Sequence, residues 1–203
     1  MSAAQPAEQA GDRPRGQMRG RARREALVQA AADLFWKRGY SASSIAHVAR
    51  AAGVPVGNVY YYFKTKADLA MAVAEMFVGQ TEALVEEVSV SEPDPRRRLK
   101  TLIDRLRTGQ GSRLAHGCPI AAAARDFRAD APAASTRAAE SFTILTGFIA
   151  GELVRTGMRP SLALGRARSV VCEWQGGIAL GHALDEPPVL AEAFGRMERL
   201  VAG

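Results

Sequence analysis

Apolar residues recur at three- and four-residue spacing along most of the chain, a pattern typical of helices with one buried face. The first such stretch begins at Arg19 and ends at Gly39, where a glycine favours a left-handed stop. Its apolar face carries Leu27, Ala30, Ala31, Leu34 and Phe35. The pattern therefore predicts a first helix over this stretch, with one side turned toward a core.

Two shorter helices are predicted next. Ser43 is placed to cap the second helix, and Gly53 ends it. The apolar face of this helix consists of Ile45, Val48, Ala49 and Ala52. Pro55 suits the first turn of the third helix, which extends to about Phe63. Two helices of about two turns, joined across a glycine after a longer helix, form the outline of a helix-turn-helix.

The chain beyond Lys66 keeps the helical period, without the alternation of strands and without a repeat of fixed length. Proline and glycine breaks divide it into predicted helices over 66–88, 94–108, 118–128, 132–156, 160–184 and 187–202. The predicted fold class is all-α, with a three-helix domain over 18–66 and a larger helical domain over 67–203. Residues 1–17 contain little to bury and are predicted to be a disordered leader.

The positive charge of the chain is concentrated at one end. Residues 1–66 contain eleven Lys or Arg and four Asp or Glu, a net charge of +7, whereas sixteen basic and seventeen acidic residues in 67–203 give −1. Such a distribution attracts a polyanion to one end of the molecule. We favour nucleic acid over a membrane surface, because no amphipathic anchor with an aromatic face accompanies the charge.

Several other classes of protein are disfavoured by the composition. No stretch approaches the roughly 18 apolar residues of a membrane span, and the first seventeen residues lack the apolar segment of an export signal, so we expect a cytoplasmic protein without a membrane partner. Two cysteines are too few for a disulfide scaffold or a structural zinc site. Paired carboxylates, a nucleophile elbow and phosphate loops are absent from the sequence, so we expect no cofactor and no enzymatic activity.

Three adjacent tyrosines lie on the third predicted helix. If all were buried, each hydroxyl would need a partner, so at least two of Tyr60, Tyr61 and Tyr62 are expected to face solvent. There a hydroxyl can bond a phosphate oxygen, and a ring can pack on a sugar or thymine methyl group. Gly57 would let the helix backbone approach a groove closely. Lys66, with the first N–H groups of the next helix, would form a phosphate clamp.

A set of short motifs extends from Arg19 to Leu69. They are Leu34-Phe35, Gly39-Tyr40, Ser43-Ser44-Ile45, Val48-Ala49, Ala52-Gly53-Val54, Gly57-Asn58-Val59-Tyr60-Tyr61-Tyr62-Phe63-Lys64-Thr65-Lys66 and Asp68-Leu69. As a joint pattern they resemble the TetR family of bacterial helix-turn-helix transcriptional regulators. The resemblance fades after Leu69, so the second domain must be interpreted from its own residues.

The resemblance implies a homodimeric, all-helical regulator. Its N-terminal helix-turn-helix DNA-binding domain would bind double-stranded operator DNA, and its larger domain would bind an inducer and the second subunit. By position, Ser44 would approach a phosphate, Tyr61 and Tyr62 would hold the DNA backbone, and Lys66 would clamp it. The residues at or near the groove would be Val56, Gly57, Asn58 and Tyr60. The small core beneath would consist of Phe35, Val48, Ala49, Val59 and Phe63.

Three positions depart from the family pattern. Pro55 replaces a Ser or Thr cap, which is worth about 1 kcal/mol. Val56 stands where Lys is common and offers a thymine methyl an apolar contact instead, and His47 stands where an acid is common. Arginines including Arg19 and Arg21 would recover affinity along phosphates or in a minor groove, unless they are a solvated tail.

The second domain should contain an apolar cavity with a few polar groups, because a small inducer gains affinity by burial and orientation by hydrogen bonds. The apolar candidates are Phe77, Phe127, Phe142, Phe148 and Trp174. The polar candidates are Arg125, Glu173, Gln175 and His182. The alternative for each apolar residue is ordinary core packing.

The last two helices are predicted to associate with a second copy of the chain. The segment from Trp174 to Leu184 has small residues on one face, where another helix can approach closely. The terminal helix offers Leu190, Ala193, Phe194, Met197 and Val201. Paired across a two-fold axis, these helices would form a four-helix bundle. The alternative is that the small residues pack within one subunit.

Cys118 is the only residue with reactive character in its sequence context. Pro119 at the first position of a helix makes Cys118 its cap, where the helix dipole favours a thiolate. Cys118 could therefore lie in the ligand site and sense an electrophile, or be an inert packed thiol. With His116 alone it supplies too few ligands for a metal.

The function predicted from the sequence is a ligand-responsive repressor that binds a palindromic operator and is released by a small apolar inducer. Two alternatives remain at this point. One is a ligand-independent, nucleoid-type DNA-binding protein, which would show little sequence preference. The other is a thiol-based electrophile sensor that uses Cys118.

Overall fold

Ten helices and no strand form the part of the chain that is described, residues 13–202, in a computed structural model. They are α1 Arg13–Arg38, α2 Ile45–Ala51, α3 Val56–Tyr62, α4 Lys66–Ser91, α5 Pro95–Arg107, α6 Gln110–His116, α7 Pro119–Asp126, α8 Pro132–Arg155, α9 Pro160–Leu184 and α10 Pro187–Ala202. The predicted all-α fold with an N-terminal helix-turn-helix is confirmed. No helix within 13–202 is both long and apolar enough to cross a membrane.

The start of α1 differs from the predicted domain boundary. Residues 13–17 of the predicted leader are helical, while its residues 1–12 lie outside the described part of the chain. Pro14 is tolerated because it lies in the first turn, where its missing N–H would have no helical partner. Gly16 costs only about 1 kcal/mol relative to alanine, so the helix continues through it.

The cap of α2 is Ser44, so the prediction that Ser43 caps this helix is wrong. The Ser44 hydroxyl oxygen accepts from the backbone N–H of His47 at 3.2 Å, and Nδ1 of His47 accepts from the backbone N–H of Ser44 at 3.3 Å. His47 thus completes a capping box in place of the usual acid. Ser43 is buried and donates its hydroxyl hydrogen to the carbonyl oxygen of Gly39 at 2.8 Å.

Helix α6 was not predicted from the sequence. The break expected from Gly109 to Gly111 is confined to Gly109, whose φ of 75° requires the left-handed conformation. Gly111 lies inside the helix, which ends at Gly117 with a φ of 77°. A short helix with a glycine in its first turn resembles a loop in sequence, and its stability comes from packing against α9.

The N-terminal head, defined here as α1 to α3, packs around a core that it shares with α4, α7 and α8. Phe35, Val48, Ala49, Val59 and Phe63 are all buried in it, as predicted. Phe127, at the end of α7, also joins this core, and its ring centroid lies 5.8 Å from that of Phe35 and 4.9 Å from that of Tyr40. The body, α4 to α10, is therefore attached to the head by a shared aromatic cluster.

The last two helices pack closely on each other within one chain. A Cβ added to Gly177 would lie 2.5 Å from the Cβ of Ala193, so the glycine permits the close approach of α9 and α10. Gly181 is buried in the same contact region, near Leu114 and Glu186. The predicted pairing residues of the terminal helix, Leu190, Ala193, Phe194, Met197 and Val201, are buried in the body core. The expectation that they face a second copy is wrong, because other helices of the same chain already cover this face of α10.

Candidate nucleic-acid interface and regulatory cavity

Helix α3 presents a largely uncovered face at the surface of the head. Val56, Gly57, Tyr60 and Tyr61 are exposed, and 77% of Tyr61 is accessible to solvent. Asn58 is half-buried. A Cβ added to Gly57 would meet no atom within 4 Å, so the space in front of this backbone is open. The face combines apolar, aromatic and amide groups, which suits contact with base edges and sugars.

Tyr62 differs from the two tyrosines before it. It is half-buried against the head core, and its ring meets Tyr61 edge to face at a centroid distance of 5.0 Å. Two of the three tyrosines therefore face solvent, which is the minimum number predicted from the sequence. Behind them, Val59 and Phe63 anchor α3, and the guanidinium carbon of Arg24 lies 5.2 Å from the Phe63 ring centroid.

Two of the residues expected to contact phosphates, Ser44 and Arg21, have protein partners in this structure. The Ser44 hydroxyl accepts a capping bond, which leaves its hydrogen free to donate. Arg19 and Arg21 are exposed, and Nε of Arg21 donates to Glu25 at 2.8 Å. A surface pair of this kind is worth at most about 1 kcal/mol, so it can exchange for another anion.

Lys66, the residue of the predicted phosphate clamp, is half-buried at the start of α4. Its ammonium lies 4.0 Å from the centroid of the Tyr40 ring, and burial lowers the pKa of Lys66 while Asp130 opposes that shift. Thr65 and Asp68 cap the start of α4. The Thr65 hydroxyl oxygen accepts from the backbone N–H of Asp68, and the Asp68 carboxylate accepts from the backbone N–H of Thr65. Two of the N–H groups near this terminus are thereby occupied.

A cavity of about 130 Å³ lies in the body, between α4, α5, α6, α7, α8 and α9. Three of the five predicted apolar candidates, Phe77, Phe142 and Trp174, line it. Its remaining apolar wall is formed by Leu84, Leu106, Ile120 and Leu145. The cavity thus has the apolar lining expected of a small-molecule site.

Three of the residues that line this cavity also carry a buried polar group without a protein partner. These groups are Nε of Arg113, the hydroxyl of Ser141 and the indole N–H of Trp174. The sequence does not predict a role for Arg113, because the pattern of glycines around it predicts a loop where the structure has α6. Ser141 carried a visible signal, since it shares a helical face with Ala134, Ala138, Leu145 and Ile149, all buried. A polar residue at a core position of this kind requires a partner.

The other four predicted ligand-binding residues do not line this cavity. Phe127 packs in the head core, and Phe148 is half-buried against the body core. Cys118 and Arg125 line a separate open groove with His116, Gln175 and His182. Cys118 does occupy the cap position of α7, but it is only 7% exposed and makes no capping bond. Arg125 pairs with Asp126 at 2.7 Å.

Two uncharged stripes run along the exposed sides of α8 and α9. The α8 stripe consists of residues at helical spacing that are all exposed: Thr136, Ala139, Thr143, Gly147 and Val154. The α9 stripe consists of Leu162, Gly165, Ser169, Cys172, Gly176, Leu180 and Ala183, also exposed. Small and apolar side chains without charge are typical of helix faces that meet another helix.

The head and the body are also joined by a hydrogen bond from α1. The indole N–H of Trp36 donates to the carbonyl oxygens of His116 and Gly117, at 3.0 and 3.1 Å. These two residues end α6, the helix that carries Arg113. The middle of α6 therefore contacts the cavity through Arg113, and the C-terminal end of α6 contacts the head through the Trp36 hydrogen bond.

Two family models match the chain. Residues 27–73 match the model described as bacterial regulatory proteins of the tetR family, and residues 95–202 match the C-terminal domain of LmrA/YxaF-like transcriptional regulators. The second match alone covers more than half of the 203 residues. Together the two models account for both the head and most of the body.

Similar proteins agree with these matches. The chain is 34% identical over 65 residues to the transcriptional regulator AcuR of Cereibacter sphaeroides, covering 32% of this chain and 30% of that protein. It is 31% identical over 81 residues to the transcriptional repressor KstR2 of Rhodococcus jostii, covering 40% of each. The chain thus spans less than half the length of these relatives.

A solved structure extends the likeness to the whole fold. The TetR-family regulator SCO4454 of Streptomyces coelicolor superposes with a TM-score of 0.78 at 19% identity, over 91% of this chain and 95% of that one. The fold, the exposed third helix of the head and the family matches lead to one assignment. The chain belongs to the TetR family of helix-turn-helix, DNA-binding transcriptional regulators.

Proposed function

We propose that the protein is a ligand-responsive repressor, which binds a palindromic operator as a homodimer and is released by a small molecule in the body cavity. The observation that carries this proposal is the position of α6. Its residue Arg113 lines the cavity, and the carbonyl groups at its end accept the Trp36 hydrogen bond from the head. A ligand that moves α6 would therefore change how the head is held.

In this proposal the α3 face enters a major groove. Val56, Gly57, Asn58 and Tyr60 contact or approach base edges, while Tyr61 and Tyr62 lie along the backbone. Ser44, Arg19 and Arg21 bind phosphates, and Lys66 does so after leaving the Tyr40 ring. The basic excess of residues 1–66 supports this orientation of the head toward DNA.

The proposed dimer uses α8 and α9, in place of the α9 and α10 pair predicted from the sequence. The uncharged stripes of these helices are the support for this assignment, and two copies would bring four helices together. A two-fold dimer places two heads on half-sites about one helical turn apart or more, and the operator is then a pseudo-palindrome. The same two helices wall the cavity with Ser141 and Trp174, so a ligand also acts on the dimer geometry.

Footprinting on the DNA that flanks the gene of this protein tests the proposal. A protected pseudo-palindrome supports a sequence-specific dimer, whereas uniform protection along the fragment would identify a ligand-independent, nucleoid-type protein. Release of the operator by a ligand must then be measured, because a ligand releases DNA only if it binds the DNA-free form of the protein more tightly than the DNA-bound form. About 3 kcal/mol of coupling weakens operator binding by only about 150-fold, a change that a titration of labelled operator resolves.

A further inference from the structure

The unpaired donors in the cavity limit which molecules can fill it. Trp174 is 3% exposed and Ser141 is 2% exposed, and neither the indole N–H nor the hydroxyl has a partner. An indole N–H can only donate a hydrogen bond, so it requires an acceptor. A buried donor without a partner costs free energy, and apolar ligands would leave that cost unchanged.

The third unpaired group adds a positive charge. Nη1 of Arg113 donates to the carbonyl oxygens of Thr108 at 2.7 Å and Leu106 at 3.4 Å, while Nε is buried and free of partners. No carboxylate of residues 13–202 lies within ion-pair distance of this guanidinium. The guanidinium carbon lies 5.4 Å from the centroid of the Trp174 ring. Burial lowers the pKa of Arg113 while Cys118 opposes that shift, and the lowering reflects the cost of removing the charge from water. An anion placed here would remove that cost.

The size of the cavity limits the rest of the ligand. An apolar cavity of about 150 Å³ accepts benzene, and this cavity measures about 130 Å³. Phe77, Phe142 and Leu145 supply flat and branched apolar surface around the space. A single ring or a short branched chain fits, and a multi-ring molecule would need the helices to separate.

We propose that the cavity binds a small carboxylate with a one-ring apolar body, and that Arg113, Ser141 and Trp174 donate hydrogen bonds to its carboxylate oxygens. The inference rests on the proposed function, which assigns this cavity to the inducer, and it adds a negative charge to the small apolar inducer predicted from the sequence. The guanidinium supplies the counter-ion, and the two neutral donors fix the orientation of the carboxylate.

Calorimetric titration of the full-length protein with benzoate and phenylacetate, and with the matched neutral amides, tests this inference without DNA. We expect at least one carboxylate to bind saturably, and its amide to bind about tenfold or more weakly, since a charge-assisted hydrogen bond is lost. Equal binding of acid and amide would overturn the proposal. So would the absence of binding by both carboxylates at millimolar concentration.

Two variants locate the site. Arg113→Met should weaken carboxylate binding about tenfold or more, but it also removes bonds that hold the end of α5. Ser141→Ala removes only an unpaired hydroxyl, so we expect its thermal stability to be unchanged or higher while carboxylate affinity falls. Unchanged affinity in both variants would overturn the proposal. Arg125→Gln, in the separate groove, is the matched control and should bind like wild type. Operator affinity is titrated separately, so a failure of DNA release bears on the proposed function and not on this site.

Discussion

The indole N–H of Trp36 donates a hydrogen bond to the carbonyl oxygen of Gly117, across 81 positions of the chain, at 3.1 Å. The last carbonyl groups of a helix have no partner within it, so the end of α6 is a natural place for a donor from another element. The Trp36 ring also meets the His116 ring edge to face at a centroid distance of 5.5 Å. The head is thus held by a directional contact in addition to the aromatic cluster around Phe127.

This contact predicts that Trp36 couples the cavity to the head. Trp36→Phe keeps an aromatic ring but removes the donor, so we expect the fold to persist. The ligand-induced loss of operator affinity should shrink by about fivefold, the equivalent of about 1 kcal/mol for one hydrogen bond. The measurement is operator affinity with and without a saturating carboxylate identified by calorimetry. An unchanged ratio in the variant would assign coupling to the aromatic cluster instead.

Gly57 should be essential for DNA binding and dispensable for folding. Its Cβ position is open, so Gly57→Leu fits the free protein, and leucine is the better helix former. On DNA the same side chain would block close approach of α3 to the groove. We expect operator affinity to fall at least to the non-specific level, with an unchanged or raised melting temperature. Gly79→Leu, at an exposed and equally open glycine of α4, is the control and should bind operator like wild type.

The dimer face can be tested with a matched pair of glycines. Gly176 lies on the uncharged stripe of α9, and a side chain there meets no atom of its own chain within 4 Å. We expect Gly176→Glu to give a folded monomer at micromolar concentration, because two carboxylates would be buried facing a two-fold axis. Gly79→Glu should remain a dimer. A dimeric Gly176→Glu protein in sedimentation would exclude this stripe.

Gly181 is a poor site for that test, although it lies in the small-residue segment from Trp174 to Leu184. Its added Cβ would lie 2.9 Å from a methyl carbon of Leu114, so Gly181→Glu would disturb α6 and α9 in each subunit. Small residues on a helix indicate a close approach, but they do not say whether the second helix belongs to the same chain. The distinction depends on tertiary packing, here of α10 and α6 on α9.

In the body, proline made several helix starts predictable from the sequence. Proline lies in the first turn of α5, α7, α8 and α9, and these starts lie within one residue of the prediction. The outward face of α3 was predictable because Val59 and Phe63 mark the buried side of this short helix, and the tyrosines need solvent or a partner for their hydroxyl groups. Only part of the cavity lining was predictable, because an aromatic residue can belong either to a core or to a cavity wall. Phe142 lines the cavity, whereas Phe127 is buried in the core of the head.

Glu152 should be a main determinant of stability in the body. It is 1% exposed, its Oε1 accepts from Arg155 at 2.6 Å, and its Oε2 lies 3.4 Å from Nη1 of Arg98 on α5. Removing Glu152 leaves Arg98 without its carboxylate, which costs about 1–3 kcal/mol, because both arginine partners are partly exposed to solvent. We therefore expect Glu152→Ala to unfold at a markedly lower urea concentration than wild type, measured at one fixed protein concentration because the dimer contributes to stability.

A second substitution separates the charge from the packing. Arg98 is the less exposed of the two arginine partners, with 20% of its side chain accessible against 60% for Arg155. Replacing a buried ion pair by apolar residues of similar volume is often neutral or stabilising. The double variant Glu152→Leu with Arg98→Met should therefore recover much of the stability that Glu152→Ala loses. If the double variant is as unstable as the sum of its single changes, the two residues act independently, and the link between α5 and α8 depends on their apolar neighbours rather than on this pair.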